Sequence, residues 1–134
     1  MQVLKAESLQ VRSAEDIVIV RQAVRRESIG LGFGLVDQTK FVTAASELAR
    51  NTLDHGGGGS VQIEVLRNGI KSGIRLVFED QGPGIANISL AMTDGYTSGN
   101  GMGLGLSGAK RLSHEFEIDS APGKGTRIAI IRWK

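Results

Sequence analysis

Cysteine is absent from this 134-residue chain, which excludes disulfide bridges, thiolate metal sites and thiol nucleophiles. Long apolar runs are absent as well: none approaches the roughly 18 residues needed to span a bilayer. The opening stretch, Met1-Gln2-Val3-Leu4-Lys5-Ala6-Glu7, has neither the basic start nor the apolar core of a signal peptide. A surplus of one charge is also lacking, with 16 Lys and Arg against 14 Asp and Glu and a formal net charge of +2. That balance is too near neutral to signal nucleic acid through bulk electrostatics. The basic residues are scattered, adjacent only at Arg25-Arg26 and Lys110-Arg111. The absences together imply a cytoplasmic protein that engages neither membrane nor nucleic acid. The 40% apolar content is ordinary for a globular chain, and the length suits one domain spanning 1–134.

Glycine is what the chain has in excess. Its 19 glycines cluster at 56–59, 82–84 and 99–108. Glycines grouped at fixed offsets beside apolar segments suggest a backbone shaped to approach a ligand closely.

A short first strand is expected over about Leu9–Arg12. Ser13 is a helix N-cap, with Asp16 where a capping-box acid would stand. Helical spacing of Ile17, Val20 and Val24 follows to Ser28, before Gly30, Gly32 and Gly34 break the pattern. A second helix is expected from Asp37 to about Leu53, burying Phe41, Ala44, Ala45, Leu48 and Thr52. Val61–Val65 and Ile74–Phe78 alternate with period two and predict a hairpin with a rather long loop around Asn68-Gly69. A helical piece at Ile88–Met92, a glycine-rich stretch at Thr93–Gly103 and a helix over Leu104–Ser113 come next. Two strands, at Phe116–Ile118 and Thr126–Trp133, close the chain around a Pro122–Gly125 turn. The order predicts an α+β two-layer sandwich, with helices on one face of a mixed, mostly antiparallel sheet.

Three constellations carry chemistry. Glu47 and Asn51 are four apart on the second helix and share a face; a carboxylate and an amide oxygen are hard ligands suited to Mg²⁺ alongside phosphate oxygens. Asp80-Gln81-Gly82-Pro83-Gly84-Ile85 follows a buried strand, placing a carboxylate where it can accept from an exocyclic amine. Gly99 to Gly108 opens into a helix, and free N–H groups at such a start make an anion site. Each has a plain alternative when taken singly: a solvated helix edge, a strand-ending turn, a flexible hinge. The glycine run lacks Gly-Lys-Ser/Thr, so it is no Walker A loop. His55 and His114 read as helix-end histidines.

In this order the three features resemble the boxes of the GHKL (Bergerat-fold) ATPases, over nearly the whole chain. Glu47–Asn51 is similar to the N box, Asp80-x-Gly82-x-Gly84 to the first glycine box and Gly101–Gly108 to the second. Gly123-x-Gly125-Thr126 matches the motif that ends the family's site. Within the superfamily, Leu31-Gly32-Phe33-Gly34, Ser46–Asn51, Glu79–Ile85 and Lys110-Arg111-Leu112 resemble the RsbT-type switch kinases of bacterial stress signalling. The resemblance implies a serine/threonine protein kinase using ATP and Mg²⁺. It implies Glu47 as general base and Asn51 as the metal-holding residue. Asp80 would bind the adenine amine, supported by Thr126 through water. Gly82, Gly84 and Ile85 would shape the adenine pocket, and Gly101, Gly103, Leu104 and Gly105 the phosphate lid. Lys110 and Arg111 are either phosphate-neutralising or surface groups. The implied partners are a STAS-domain antagonist as substrate and a metal-dependent serine phosphatase as activated target. An anti-sigma factor, sequestering a sigma factor and phosphorylating its antagonist, shares the same boxes and is the alternative.

Overall fold

The computed structural model describes residues 1–93 and 105–134. Strand β1, Gln2–Val11, leads into helix α1, Ala14–Leu31. Ser13 caps α1 as its sequence predicts, its Oγ accepting from the Asp16 amide at 3.2 Å. Asp16 returns the bond one residue further upstream than in a standard capping box, taking the Arg12 amide at 2.9 Å. The helix runs through Gly30, where an interior glycine costs only about 1 kcal/mol. It ends at Gly32, which takes φ 86 and offers its N–H to the last carbonyls.

Helix α2, Leu35–Asp54, starts two residues before the expected Asp37, with Gly34 as N-cap and Gln38 Nε2 donating to Phe33 O at 2.8 Å. Its expected apolar face is the buried one: Phe41, Ala44, Ala45, Leu48 and Thr52 all lie inside. Each fully buried large side chain of this kind contributes about 1.5–3 kcal/mol.

Strands β2, Gly59–Asn68, and β3, Lys71–Asp80, are joined by the two-residue turn Gly69-Ile70, not by the long loop expected. The ladder continues to the Asn68–Lys71 pair through polar, exposed residues that carry no alternation. A short helix α3, Ile88–Ala91, is capped by Asn87; helix α4 is Leu106–Arg111. Strands β4, Glu115–Ser120, and β5, Thr126–Trp133, form the last hairpin. The sheet order is β1-β2-β3-β5-β4, and all four pairings are antiparallel, so the parallel component of a mixed sheet does not occur among the described residues. The α+β two-layer class stands.

One face of the sheet packs on α1 and α2. Ile74, Leu76 and Phe78 of β3 and Ile128 and Ile130 of β5 alternate into this core. The same parity carries Asp80 and its register partner Thr126 to the rim of that core, both buried. On the opposite face the register partners Glu64 and Arg75 pair at 2.6 Å, and Lys71 lies 5.2 Å over the Trp133 ring. No helix among the described residues is long and apolar enough to cross a membrane.

Candidate functional site

Helix α2 supplies the first two groups. Asn51 is 4% exposed, yet among the described residues neither its Oδ1 nor its Nδ2 has a hydrogen-bond partner. An unpaired buried polar group costs about 1–3 kcal/mol, and it calls for a partner such as a bound ion or an ordered water. One turn earlier, Glu47 is exposed. Its Oε2 stands against Gly105, the N-cap of α4, which takes φ 70; a Cβ there would overlap that oxygen. Buried Leu106 and Ala109 seat α4 on α2, so the start of α4 is held beside the Glu47 carboxylate. No group of three or more His, Asp or Glu residues able to hold a metal occurs among the described residues. The donor set still fits Mg²⁺, which uses one or two protein oxygens together with phosphate and water.

Asp80, the last residue of β3, is 5% exposed. Its Oδ1 accepts from the Gly82 amide at 2.9 Å, closing an Asx turn. Its Oδ2 lies against Gly56, where a Cβ would overlap the carboxylate, and a Cβ on Gly82 would in turn meet the Gly56 backbone. The run at 56–59 therefore has a packing reason. Helix α2 extends to Asp54, one residue past the expected end, and Gly56 lets the first glycine box lie directly on its end.

The Gly82–Ile85 loop is fastened on three sides. His55 Nε2 is 3.2 Å from Gly84 O, so the ring donates to this carbonyl from the end of α2. The Gly123 amide donates to Pro83 O at 2.8 Å. Ser120 Oγ accepts from the Ile85 amide at 2.9 Å and touches Gly125 O at 2.9 Å and Thr126 Oγ1 at 2.8 Å. Gly84 takes φ 77 beside Ala121, and the Ile85 side chain joins the core. Two open clefts, of about 320 and 370 Å³, flank Glu79, Asp80 and Gln81 at this strand end. The first reaches Ser120 and Thr126, the second Gly56–Gly59.

The structure thus brings Glu47, Asn51 and Gly105 together on one side and Asp80, Gly82, Gly84, Ile85 and Thr126 on the other. Gly101, Gly103 and Leu104 lie outside the described residues. Lys110 and Arg111 are exposed at the end of α4 and line a cleft with Met92 and Ser107. Sequence reasoning missed Ser120 and the packing role of Gly56, and treated His55 as a helix end. The available signal for Ser120 was its place directly opposite Thr126 across the last hairpin. His114 is not part of this constellation; its Nδ1 accepts from the Trp133 amide at 2.8 Å.

Residues 36–134 match the family of histidine kinase-, DNA gyrase B-, and HSP90-like ATPases. The chain is 47% identical over 118 residues to the serine/threonine-protein kinase RsbT of Bacillus subtilis, covering 88% of this chain and 89% of that one. It is 34% identical over 102 residues to the anti-sigma F factor of Clostridium kluyveri, covering 72% and 70% respectively. A crystal structure of the RsbU and RsbW domains of a Mycobacterium tuberculosis protein superposes with TM-score 0.65 at 19% identity, over 97% of this chain. This chain spans 33% of that one, and the likeness concerns the fold. The buried asparagine, the Asp-x-Gly-x-Gly turn and the matched residues converge: the chain belongs to the histidine kinase-, DNA gyrase B-, and HSP90-like ATPase family.

Proposed function

We propose that the chain is a cytoplasmic ATP-dependent serine/threonine protein kinase of the partner-switching kind. It phosphorylates a STAS-domain antagonist and, once released, activates a metal-dependent serine phosphatase. The observation that carries the reading is the buried Asn51 amide, unpartnered among the described residues, one helical turn from Glu47. The 47% identity to RsbT supports the choice of a protein hydroxyl as acceptor.

In this reading Asp80 accepts from the exocyclic amine of adenine, and Thr126 assists through a water. Gly82, Gly84 and Ile85 shape the ring's seat, while Gly101, Gly103, Leu104 and Gly105 enclose the phosphates. Asn51 holds Mg²⁺, which when bound neutralises charge on the triphosphate. Phosphoryl transfer requires positioning and charge neutralisation more than covalent help. Glu47 accepts the proton of the incoming serine or threonine hydroxyl as its oxygen attacks the γ-phosphorus and ADP leaves. General-base assistance of this sort is typically worth about 10²–10⁴-fold.

The test is transfer of labelled phosphate from ATP and Mg²⁺ to a STAS-domain protein encoded nearby, with Glu47→Ala as control. Transfer by the wild type alone, with nucleotide binding intact in the variant, is the expected result. Equal loss of nucleotide affinity in Glu47→Ala would sink the base assignment. The 34% identity to an anti-sigma F factor favours a second reading, sequestration of a sigma factor. ATP binding without transfer, together with a sigma factor recovered in a pull-down, would move the assignment there.

A further inference from the structure

We infer that Ser120 is a positioning residue that fixes the direction of the Thr126 hydroxyl and so biases the site toward a 6-amino over a 6-oxo purine. The inference rests on the reading of Asp80 and Thr126 as the purine-facing groups.

Ser120 Oγ makes three contacts, at 2.9 Å to the Ile85 amide, 2.9 Å to Gly125 O and 2.8 Å to Thr126 Oγ1. A hydroxyl has one hydrogen to give and two lone pairs to receive. The Ile85 N–H can only donate, and the Gly125 carbonyl can only accept. The single Ser120 hydrogen therefore goes to Gly125 O, and one lone pair takes the Ile85 amide. The remaining lone pair is left for Thr126, so the Thr126 hydroxyl is the donor in that bond. This assignment alone satisfies all three contacts and uses the full capacity of the Ser120 hydroxyl.

The consequence falls on Thr126. Its hydrogen is committed to Ser120, and only lone pairs remain on Oγ1 for anything else that approaches. Its register partner Asp80 is likewise an acceptor, with Oδ1 already receiving the Gly82 amide. The pair at this strand end thus presents acceptors only. An amine at purine C6 meets this arrangement with a donor. An oxo group meets it with a third acceptor, and unpaired buried acceptors are costly. Sites built around one polarity reject the opposite group strongly for this reason.

The experiment is displacement of a fluorescent ATP analogue by ATP and by GTP, with Mg²⁺, from the full chain and its variants. The wild type is expected to prefer ATP. Ser120→Ala frees the Thr126 hydroxyl to rotate and donate, and should narrow the ATP:GTP preference by about tenfold, the size of one hydrogen bond's worth of discrimination. Ser120→Thr keeps the oxygen and should restore the preference. Ser120→Ala combined with Thr126→Val should narrow it no further than Thr126→Val alone, because both changes act on one group. An unchanged preference in a folded Ser120→Ala protein overturns the inference, as do additive effects of the two substitutions. Should Ser120→Ala melt below assay temperature, comparing Thr126→Val with Thr126→Ser decides: equal preference in both overturns the inference. Phosphate transfer is not read here. A chain that binds ATP with this preference but phosphorylates nothing would remove the kinase reading and leave the Ser120 assignment standing.

Discussion

A methyl group at position 56 would occupy space held by the Asp80 carboxylate. Gly56→Ala should therefore cost about 1–3 kcal/mol in stability, the usual range for overpacking, and weaken ATP binding by displacing Asp80. Thermal melts and nucleotide titration of the same protein check both. Gly57→Ala is the control: nothing lies near its would-be Cβ, although its φ of 76 adds local strain. It should lose some stability and keep its nucleotide affinity. At this scale the sequence was informative where spacing alone carries the meaning. Glu47 and Asn51 share a face because a helix repeats every 3.6 residues, and Asp80 ends a strand whose parity is readable. Gly56 was not legible for its role, because its partner Asp80 lies 24 residues further along, and the Ser120 bond to the Ile85 amide reaches 35 residues back. No local pattern encodes such a contact.

Arg132 ties three elements into one unit. From β5 it donates to Leu112 O behind α4 at 2.9 Å and pairs with Asp37 in the first turn of α2 at 2.6 Å. Arg132→Met should lower stability by about 1–3 kcal/mol, since Leu112 O loses its charged donor. It should also loosen the end of α4, measurable as faster amide exchange there than in α1. Beside this staple, partial desolvation of the exposed His114 ring and then the neighbouring Arg132 push it below its ordinary 6.5. The folded state thus binds fewer protons than the unfolded one between the lowered value and 6.5. Stability from this group is present above that window and lost as pH falls through it. A melting series from pH 7.5 to 5 should show the decline, and His114→Gln should flatten it. Element identities were largely legible, and their extents less so. Strand β1 runs from Gln2, far earlier than Leu9, because an edge strand with exposed residues on both sides shows no alternation.

For the molecule as a whole, Asn51, unpaired among the described residues, sets stability against function. Asn51→Leu should leave the nucleotide-free protein as stable or more so, because it removes an unsatisfied buried amide. Wild-type protein should gain about 2.7 kcal/mol at a nucleotide concentration 100 times Kd, seen as a rise in Tm. The variant should lose the Mg²⁺-dependent part of that rise. A larger rise in the variant than in the wild type would count against Asn51 as the metal-holding residue. The two-layer architecture was readable from the order of elements, whereas the antiparallel pairing of all the described strands was not, since pairing direction depends on how distant strands meet. The site occupies one end of the sheet, where β3 and β4 stop and β5 begins. The two-residue turn at Gly69-Ile70 is at the other end, nine residue steps along β3 from Asp80, or about 30 Å at strand rise. Ile70 is fully exposed. That turn is accordingly a natural handle: a dye, an affinity tag or a short inserted peptide placed there would leave the Asp80 end of the sheet untouched.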